Sequence, residues 1–238
     1  MPLQLNSPDL VAGAAGRAVS PIFQNRVPDA NNDGVIDGAD ASAAGFYGQL
    51  QKGYDLYDVS QIQMTAIKFW DQFAGASRLS FVGEVGATYV HNLPDISEIR
   101  YGRFDQLGFG LAEDSNPNDS VTALQECLAL NSVGGCNTKG YTTDFSWGYR
   151  MRASLQYNDV FSGVNLTPQL AWSHDVKGFA PGPGANFSEG NKSIGASLTA
   201  DYLNQYRATL AYTNYFGGGK YNAISDRDNV ALSVSYSF

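Results

Sequence analysis

Much of the chain alternates between apolar and polar residues with a period of two. The clearest stretch is 144–159, where Trp147 and Met151 share one face while Arg150 and Arg152 lie on the other. Successive side chains of a β-strand point to opposite faces, so this pattern predicts strands. Seven strands are predicted, at residues 56–70, 77–92, 144–159, 163–175, 192–203, 205–216 and 229–238.

The connections between these strands alternate between short and long. Short turns are predicted at 71–76, 159–162 and 203–204, and long loops at 92–143, 176–191 and 217–228. Short turns on one side, long loops on the other and aromatic residues near the strand ends are typical of outer-membrane barrels. We therefore predict an all-β chain, an antiparallel β-barrel of the bacterial outer membrane with long extracellular loops.

Because successive antiparallel strands run in opposite directions, the position of the last strand predicts the side of the membrane on which each loop lies. If Phe238 ends the last strand in the periplasm, every short turn is periplasmic, and every long loop lies outside together with residues 1–53. Bacterial single-chain barrels have even numbers of strands, so seven cannot close one alone. We expect the C-terminal seven strands of a larger barrel, with an extracellular loop region at 1–53 and the barrel at 54–238.

The first residues, MPLQLNSPDLVAG, lack the basic and apolar regions of a signal peptide. This leaves two interpretations, a cytosolic chain or a mature or truncated piece whose export signal is missing. The odd number of strands favours the second interpretation, because it implies that strands upstream are missing.

Composition excludes two classes of protein. Charged residues make up 16% of the chain, and apolar runs do not approach the roughly 20 residues that a membrane-spanning helix requires. The net charge of −8 argues against a nucleic-acid partner.

Residues 29–40, DANNDGVIDGAD, have the ligand spacing of an EF-hand or dockerin-type loop. Their oxygen ligands suit Ca²⁺, and Gly34 permits the sharp turn at the sixth position. Asp40 stands where an EF-hand carries a bidentate Glu. The alternative is a solvated turn rich in Asp and Asn. The predicted Ca²⁺ ligands, one through a backbone carbonyl, are Asp29, Asn31, Asp33, Val35, Asp37 and Asp40.

Two cysteines, Cys127 and Cys136, lie close together in ECLALNSVGGC. A short spacer rich in Gly and Ser allows them to form a disulfide, as expected in an oxidising periplasmic or surface location. Two free buried thiols are the alternative.

The polar positions of the strands carry charges of both signs. Opposite charges on neighbouring strands either brace the interior of a barrel or line a path for a solute. By alternation, the predicted lumen-facing residues are Glu84, Arg150, Arg152, Gln156, Asn165, Gln169, Asp201 and Arg207.

Enzymatic activity is not predicted. The two histidines, His91 and His174, fall near strand ends, and Asp175 adjoins His174. Because adjacent strand residues point to opposite faces, this pair is poorly placed as a catalytic dyad. No nucleophile motif or phosphate-binding glycine loop occurs in the sequence.

Three stretches resemble known patterns. NVALSVSYSF (229–238) resembles the terminal strand that the outer-membrane assembly machinery recognises. PLQLNSPDLVAG and RLSFVGEVGATYVHNLPD resemble a proteobacterial family of outer-membrane proteins of unknown function, domain of unknown function 1302. The resemblance corresponds to the C-terminal part of a longer member. It implies contact with outer-membrane lipid and movement of lipids or other small hydrophobic compounds, with a periplasmic carrier and an exporter as partners.

We therefore predict a channel or transporter. A structural or adhesive surface protein that acts through its extracellular loops is one alternative. A soluble secreted calcium-binding β-protein is the other.

Overall fold

The computed structural model of the chain describes residues 2–4, 32, 54–96, 101–102, 139–182 and 186–238. In these residues the regular structure is β-strand, apart from a short 3-10 helix at Gly219–Tyr221. The strands are β1 (Pro2–Gln4), β2 (Tyr54–Leu56), β3 (Val59–Asp71), β4 (Arg78–Val90), β5 (Phe145–Phe161), β6 (Val164–Lys177), β7 (Asn191–Tyr202), β8 (Tyr206–Gly217) and β9 (Asn229–Tyr236).

Strands β3 to β9 form one antiparallel sheet in which each strand pairs with its neighbours in sequence. The predicted all-β class and the seven antiparallel strands are confirmed. The sheet is open in the part of the chain that the structure describes, with β3 and β9 at its edges. The 17 residues of β5 far exceed the five or six of a typical strand.

One expectation about the first residues is wrong. Residues 1–53 are predicted as loop, yet β1 pairs antiparallel with β2, with Pro2 opposite Leu56 and Gln4 opposite Tyr54. Three residues are too few to show an alternating pattern. The predicted strand at 56–70 is also divided, because Leu56 belongs to β2 and β3 begins at Val59.

The chain divides into two compact units. The first comprises Met1–Ser60, Tyr89–Asp144 and Phe179–Asn186, and the second comprises Gln61–Thr88, Phe145–Gly178 and Phe187–Phe238. The second unit contains most of the seven-stranded sheet.

A two-residue turn closes the β5–β6 hairpin, and a three-residue connection, Leu203–Gln205, closes the β7–β8 hairpin. Ser162 and Gly163 have φ angles of 48° and 84°, and Leu203 and Asn204 have 51° and 56°. Positive φ at both central residues defines the type I′ turn, which matches the twist of the flanking strands. In the second hairpin the Gln205 N–H donates to the Tyr202 carbonyl oxygen over 3.1 Å.

The register gives β6–β9 two chemically different faces. On the apolar face, Leu198 of β7 lies opposite Leu210 of β8, which lies opposite Leu232 of β9. On the polar face, Thr199 lies opposite Thr209. The strands thus separate apolar from polar residues over several consecutive cross-strand rows.

Many large side chains of the apolar face are exposed in the part of the chain that the structure describes. Fractional exposure is 53% for Leu210, 72% for Leu232 and 74% for Val234. The buried core is correspondingly small. Its apolar members among the described residues are Ala76, Val90, Tyr101, Tyr141, Phe179, Ala180, Phe187 and Tyr221.

Aromatic rings mark both ends of the apolar face. At the short-turn end, the Tyr206 and Tyr236 ring centroids are 4.8 Å apart, and the Tyr202 ring is 6.3 Å from that of Tyr206. At the other end, the Trp172 and Phe216 rings meet edge to face at 5.8 Å.

Candidate functional site

The polar face carries cross-strand hydrogen bonds and an ion pair. The Ser173 and Ser193 hydroxyl oxygens are 2.7 Å apart on β6 and β7. Arg207 Nε on β8 lies 2.6 Å from Asp201 Oδ1 on β7. These contacts pair polar groups of adjacent strands, so this part of the face is braced by its own side chains.

A cavity of about 610 Å³ lies on the polar face, towards the end of the sheet away from the short turns. Its lining includes residues from β4 to β8 and from the connection that follows β8. Four charged side chains from the polar face line it, namely Glu84, Arg150, Arg152 and Asp175. The cavity therefore combines both signs of charge.

Asp175 is held by several contacts. Its Oδ1 lies 3.8 Å from an Arg150 guanidinium nitrogen, and its side chain is 14% exposed. Its Oδ2 accepts a hydrogen bond of 3.0 Å from the Ser188 N–H, and its backbone carbonyl accepts one of 2.8 Å from Gly190. One residue thus links β5 to the segment that leads into β7.

Phe187, in that same segment, fills a notch between two strands. A Cβ added to Gly86 of β4 would lie 3.3 Å from the Phe187 ring, and one added to Gly148 of β5 would lie 3.0 Å from it. Phe187 is only 3% exposed. The Arg150 guanidinium carbon lies 6.0 Å from the ring centroid, within the range of a cation–π contact. The missing side chains at the two glycines make room for the ring.

The first unit contains a separate chain of hydrogen bonds. The Tyr101 hydroxyl donates to Asp55 Oδ2 over 2.6 Å and lies 2.8 Å from the Tyr57 hydroxyl. Since Tyr101 has one hydroxyl proton, Tyr57 must donate to Tyr101. Burial, followed by the hydrogen bond to Asp55, raises the pKa of Tyr101 far above its ordinary value. This tyrosine stays protonated at any physiological pH.

A serine and a histidine also meet in the first unit. Ser60 Oγ lies 2.8 Å from His91 Nε2, and the His91 ring packs edge to face on Tyr89 at 5.0 Å. Nucleophilic catalysis requires in addition a group that orients the base and donors that hold the oxyanion. The expectation that the chain is not an enzyme stays a prediction.

The predicted lumen-facing charges lie together on the polar face of the sheet. Glu84, Arg150 and Arg152 line the cavity, and Asp201 and Arg207 pair nearer the short turns. That this face borders a lumen stays a prediction.

The predicted calcium loop and cysteine pair fall on residues that the structure does not describe. Asn32 is the exception within 29–40, exposed and with φ of 60°. Within the described ranges, no group of three or more His, Cys, Asp or Glu side chains could hold a metal ion. Calcium binding and the disulfide between Cys127 and Cys136 therefore stay predictions.

Sequence reasoning missed two residues of the site. Phe187 follows a Gly- and Pro-rich run, a sequence that predicts a loop without indicating where an aromatic side chain packs. The sequence shows Asp175 only as the neighbour of His174, and His174 packs edge to face on Tyr149 at 5.6 Å. The glycines at 86 and 148, at polar-face positions of long strands, were the available signal, because such glycines often mark close approach of another group.

The described residues contain no helix of the length and apolar character needed to cross a membrane.

Comparison with known proteins gives one match. The family model described as "Protein of unknown function (DUF1302)" matches residues 1–238. No curated protein and no solved structure matches the chain.

Proposed function

Because the chain belongs to the DUF1302 family of unknown function, we propose its role from its own sheet. Strands β3 to β9 are part of the wall of an outer-membrane β-barrel, and the protein allows small compounds to cross that membrane. The observation that carries this proposal is the division of one long-stranded sheet into an apolar face with many exposed side chains and a charged, hydroxyl-rich face.

The apolar face supports contact with lipid. Leu210, Leu232 and Val234 lie on it and are at least 53% exposed. Fully burying one such side chain is worth about 1.5–3 kcal/mol, so a row of them in water is costly and marks a binding or membrane surface. Lipid tails would cover this face without any protein partner.

The aromatic ends support the same orientation. Along β6, the row that contains Trp172 and the row that contains the tyrosine cluster are separated by eight residues. At about 3.3 Å per residue this is roughly 26 Å along the strand, or about 20 Å across a membrane at a tilt of about 40°. This height is close to the apolar band of about 25 Å that aromatic girdles flank in such barrels.

The edge strands of the sheet, β3 and β9, indicate how the barrel wall is completed. Exposed apolar residues occur on both edge strands, including Ile62 at 71% on β3 and Val230 at 69% on β9. Unpaired backbone groups are costly in lipid. We infer that β3 and β9 pair with further strands in the membrane. The exposed β9, followed by Phe238, is the proposed signal for the assembly machinery.

The charged face is the proposed lining of the passage. The family resemblance implies lipids or hydrophobic compounds as cargo, with a periplasmic carrier and an exporter as partners. Arg150, Arg152 and Asp175 instead favour small hydrophilic compounds near the cavity, because an apolar compound would not satisfy the charges it displaces from water. The passage of hydrophilic compounds is therefore the function we propose.

Two neighbouring residues of β8 test the orientation. Leu210 lies on the apolar face and Ala211 on the polar face. Leu210→Arg should lower the free energy of unfolding from liposomes by about 2–4 kcal/mol, the cost of an arginine against lipid at mid-membrane. Ala211→Arg is the matched control and should cost much less. Equal costs would contradict the assignment of the faces.

The passage itself is tested on the full-length protein in liposomes. Swelling in sugars and amino acids of increasing size should be faster than in protein-free liposomes and should stop above a size limit. Heat-modifiable migration in SDS should accompany it. A chain that stays monodisperse in buffer without detergent would contradict the membrane assignment, and folded protein that gives no swelling would contradict the passage.

A further inference from the structure

The charges on the polar face differ in whether they are paired. Arg207 is paired with Asp201 at 2.6 Å, and Arg150 lies 3.8 Å from Asp175. Glu84 and Arg152 line the same cavity as Arg150 and Asp175, and neither makes an ion pair or a hydrogen bond to another described residue. Among the polar-face charges of the lining, the two unpaired ones therefore have opposite signs. Lys192, at an apolar-face position of β7, adds a further cation to the lining.

We propose that this cavity binds small zwitterions, compounds that carry an ammonium and a carboxylate group, such as an amino acid or a short peptide. Arg152 takes the carboxylate and Glu84 takes the ammonium. The inference rests on the proposed function, since it names the class of compound that the passage selects.

The lining favours a ligand with both signs of charge. A plain anion bound at Arg152 leaves the Glu84 carboxylate of the same lining unpaired, and a plain cation bound at Glu84 leaves Arg152 unpaired. A zwitterion satisfies both. The planar guanidinium can donate two parallel hydrogen bonds to a carboxylate, and a charged carboxylate is a strong acceptor for an ammonium group.

The surroundings leave these two residues available. Asp175 is already engaged by Arg150 and by the Ser188 N–H. The Ser173 and Ser193 hydroxyls in the cavity wall are hydrogen-bonded to each other at 2.7 Å. The volume of about 610 Å³ lies within the usual range of about 300–1,000 Å³ for small-molecule sites.

The test measures binding to the full-length protein in detergent micelles by calorimetry. Glycine, diglycine and triglycine are compared because the distance between ammonium and carboxylate increases along this series. The member that binds best indicates the separation that the site prefers. N-acetylglycine lacks the ammonium group and glycine methyl ester lacks the carboxylate. At least one member of the series should bind about tenfold or more tightly than both blocked compounds.

Substitutions assign the two roles. Glu84→Gln and Arg152→Gln should each weaken binding of the best zwitterion by about tenfold or more, the usual consequence of losing one charge-assisted hydrogen bond. Asp201→Asn, on the same face but outside the cavity lining, is the control and should leave the affinity unchanged. Heat-modifiable migration verifies that each variant is folded. No preference for zwitterions, or affinity that survives both substitutions, would overturn the proposal.

The result is separable from that of the passage experiment. Zwitterion binding without liposome swelling would support the site and contradict the passage. Swelling in sugars without zwitterion binding would support the passage and contradict the site.

Discussion

Asp201 and Arg207 lie directly opposite each other in the β7–β8 hairpin, and Asp201 Oδ1 is 2.6 Å from Arg207 Nε. The arginine side chain is 64% exposed and that of the aspartate 20%. Exposed ion pairs contribute about 0–1 kcal/mol, since water and salt screen them. A short distance therefore does not by itself make this pair an important source of stability.

Removal of this pair should have a small and salt-dependent effect. Arg207→Gln should lower the free energy of unfolding by less than about 1 kcal/mol, and high salt should abolish the difference. Denaturant titration in detergent at two salt concentrations measures this. The exchanged pair Asp201→Arg with Arg207→Asp should recover most of the loss. A cost that exceeds 1 kcal/mol at both salt concentrations would show that the pair is shielded from solvent.

The Phe187 notch should be far more sensitive. A Cβ at Gly148 would lie 2.7 Å from the His174 backbone carbonyl oxygen, so Gly148→Ala cannot be accommodated by a side-chain movement alone. Phe187→Ala removes a buried ring, a change that usually costs about 3–5 kcal/mol. Both variants should unfold at clearly lower denaturant concentration. Gly182→Ala, with open space around the added Cβ, and Phe161→Ala, 60% exposed, are the matched controls.

A substitution in the β7–β8 turn should stabilise the protein. Leu203 adopts φ of 51°, a conformation that asparagine tolerates much better than leucine, so Leu203→Asn should stabilise the protein by about 0.5–1 kcal/mol. The same substitution at Leu210, similarly exposed but within β8, should destabilise it. Denaturant titration compares the two. Destabilisation by both would indicate that contacts of the Leu203 side chain outweigh the backbone strain.

Tyr101 should resist ionisation. Because its pKa is raised in the folded state, its contribution to stability is fully present below the ordinary tyrosine pKa near 10 and is lost as the pH rises above that value. Alkaline absorbance measures tyrosinate directly. At pH about 11 native wild type and Tyr101→Phe should show the same tyrosinate absorbance. After unfolding in guanidinium, wild type should show one tyrosinate more. An extra tyrosinate in the native protein would contradict the prediction.

The predicted loop at 29–40 should respond to calcium. Ca²⁺ should slow proteolysis within residues 20–45, because coordination orders the loop, and Asp33→Ala should abolish the effect. Asn32→Ala changes a residue between two predicted ligands and should retain it. Cleavage that does not depend on calcium would rule out the site.

The strands were predictable because each long strand separates two environments. In the middle of β7 and β8 a residue that changed face would place a hydroxyl or a charge among apolar side chains, so the alternation is visible in the sequence there. The short β1 has no such pattern. Its three residues pair with β2, about 50 residues later in the sequence, so the local sequence does not indicate a strand.

The cavity was only partly predictable. Alternation assigned Glu84, Arg150 and Arg152 to one face, but which charges pair depends on the register between strands. The bulge between Trp147 and Gly148 illustrates this dependence, because it shifts which β6 residue faces β5. Phe187 lies in the connection between β6 and β7, which shows no alternation of apolar and polar residues. The local sequence therefore does not indicate where its ring packs.

The strands of the sheet lie in the same order as in the chain, and this order has a consequence for folding. The connections from β5 to β9 are hairpins that close within a few to about a dozen residues, whereas β4 and β5 are separated by residues 91–144. Closing a longer loop costs more chain entropy before any contact is gained. We expect the β5–β9 meander to assemble first, one hairpin at a time, and the β3–β4 hairpin to join it afterwards as a preformed unit.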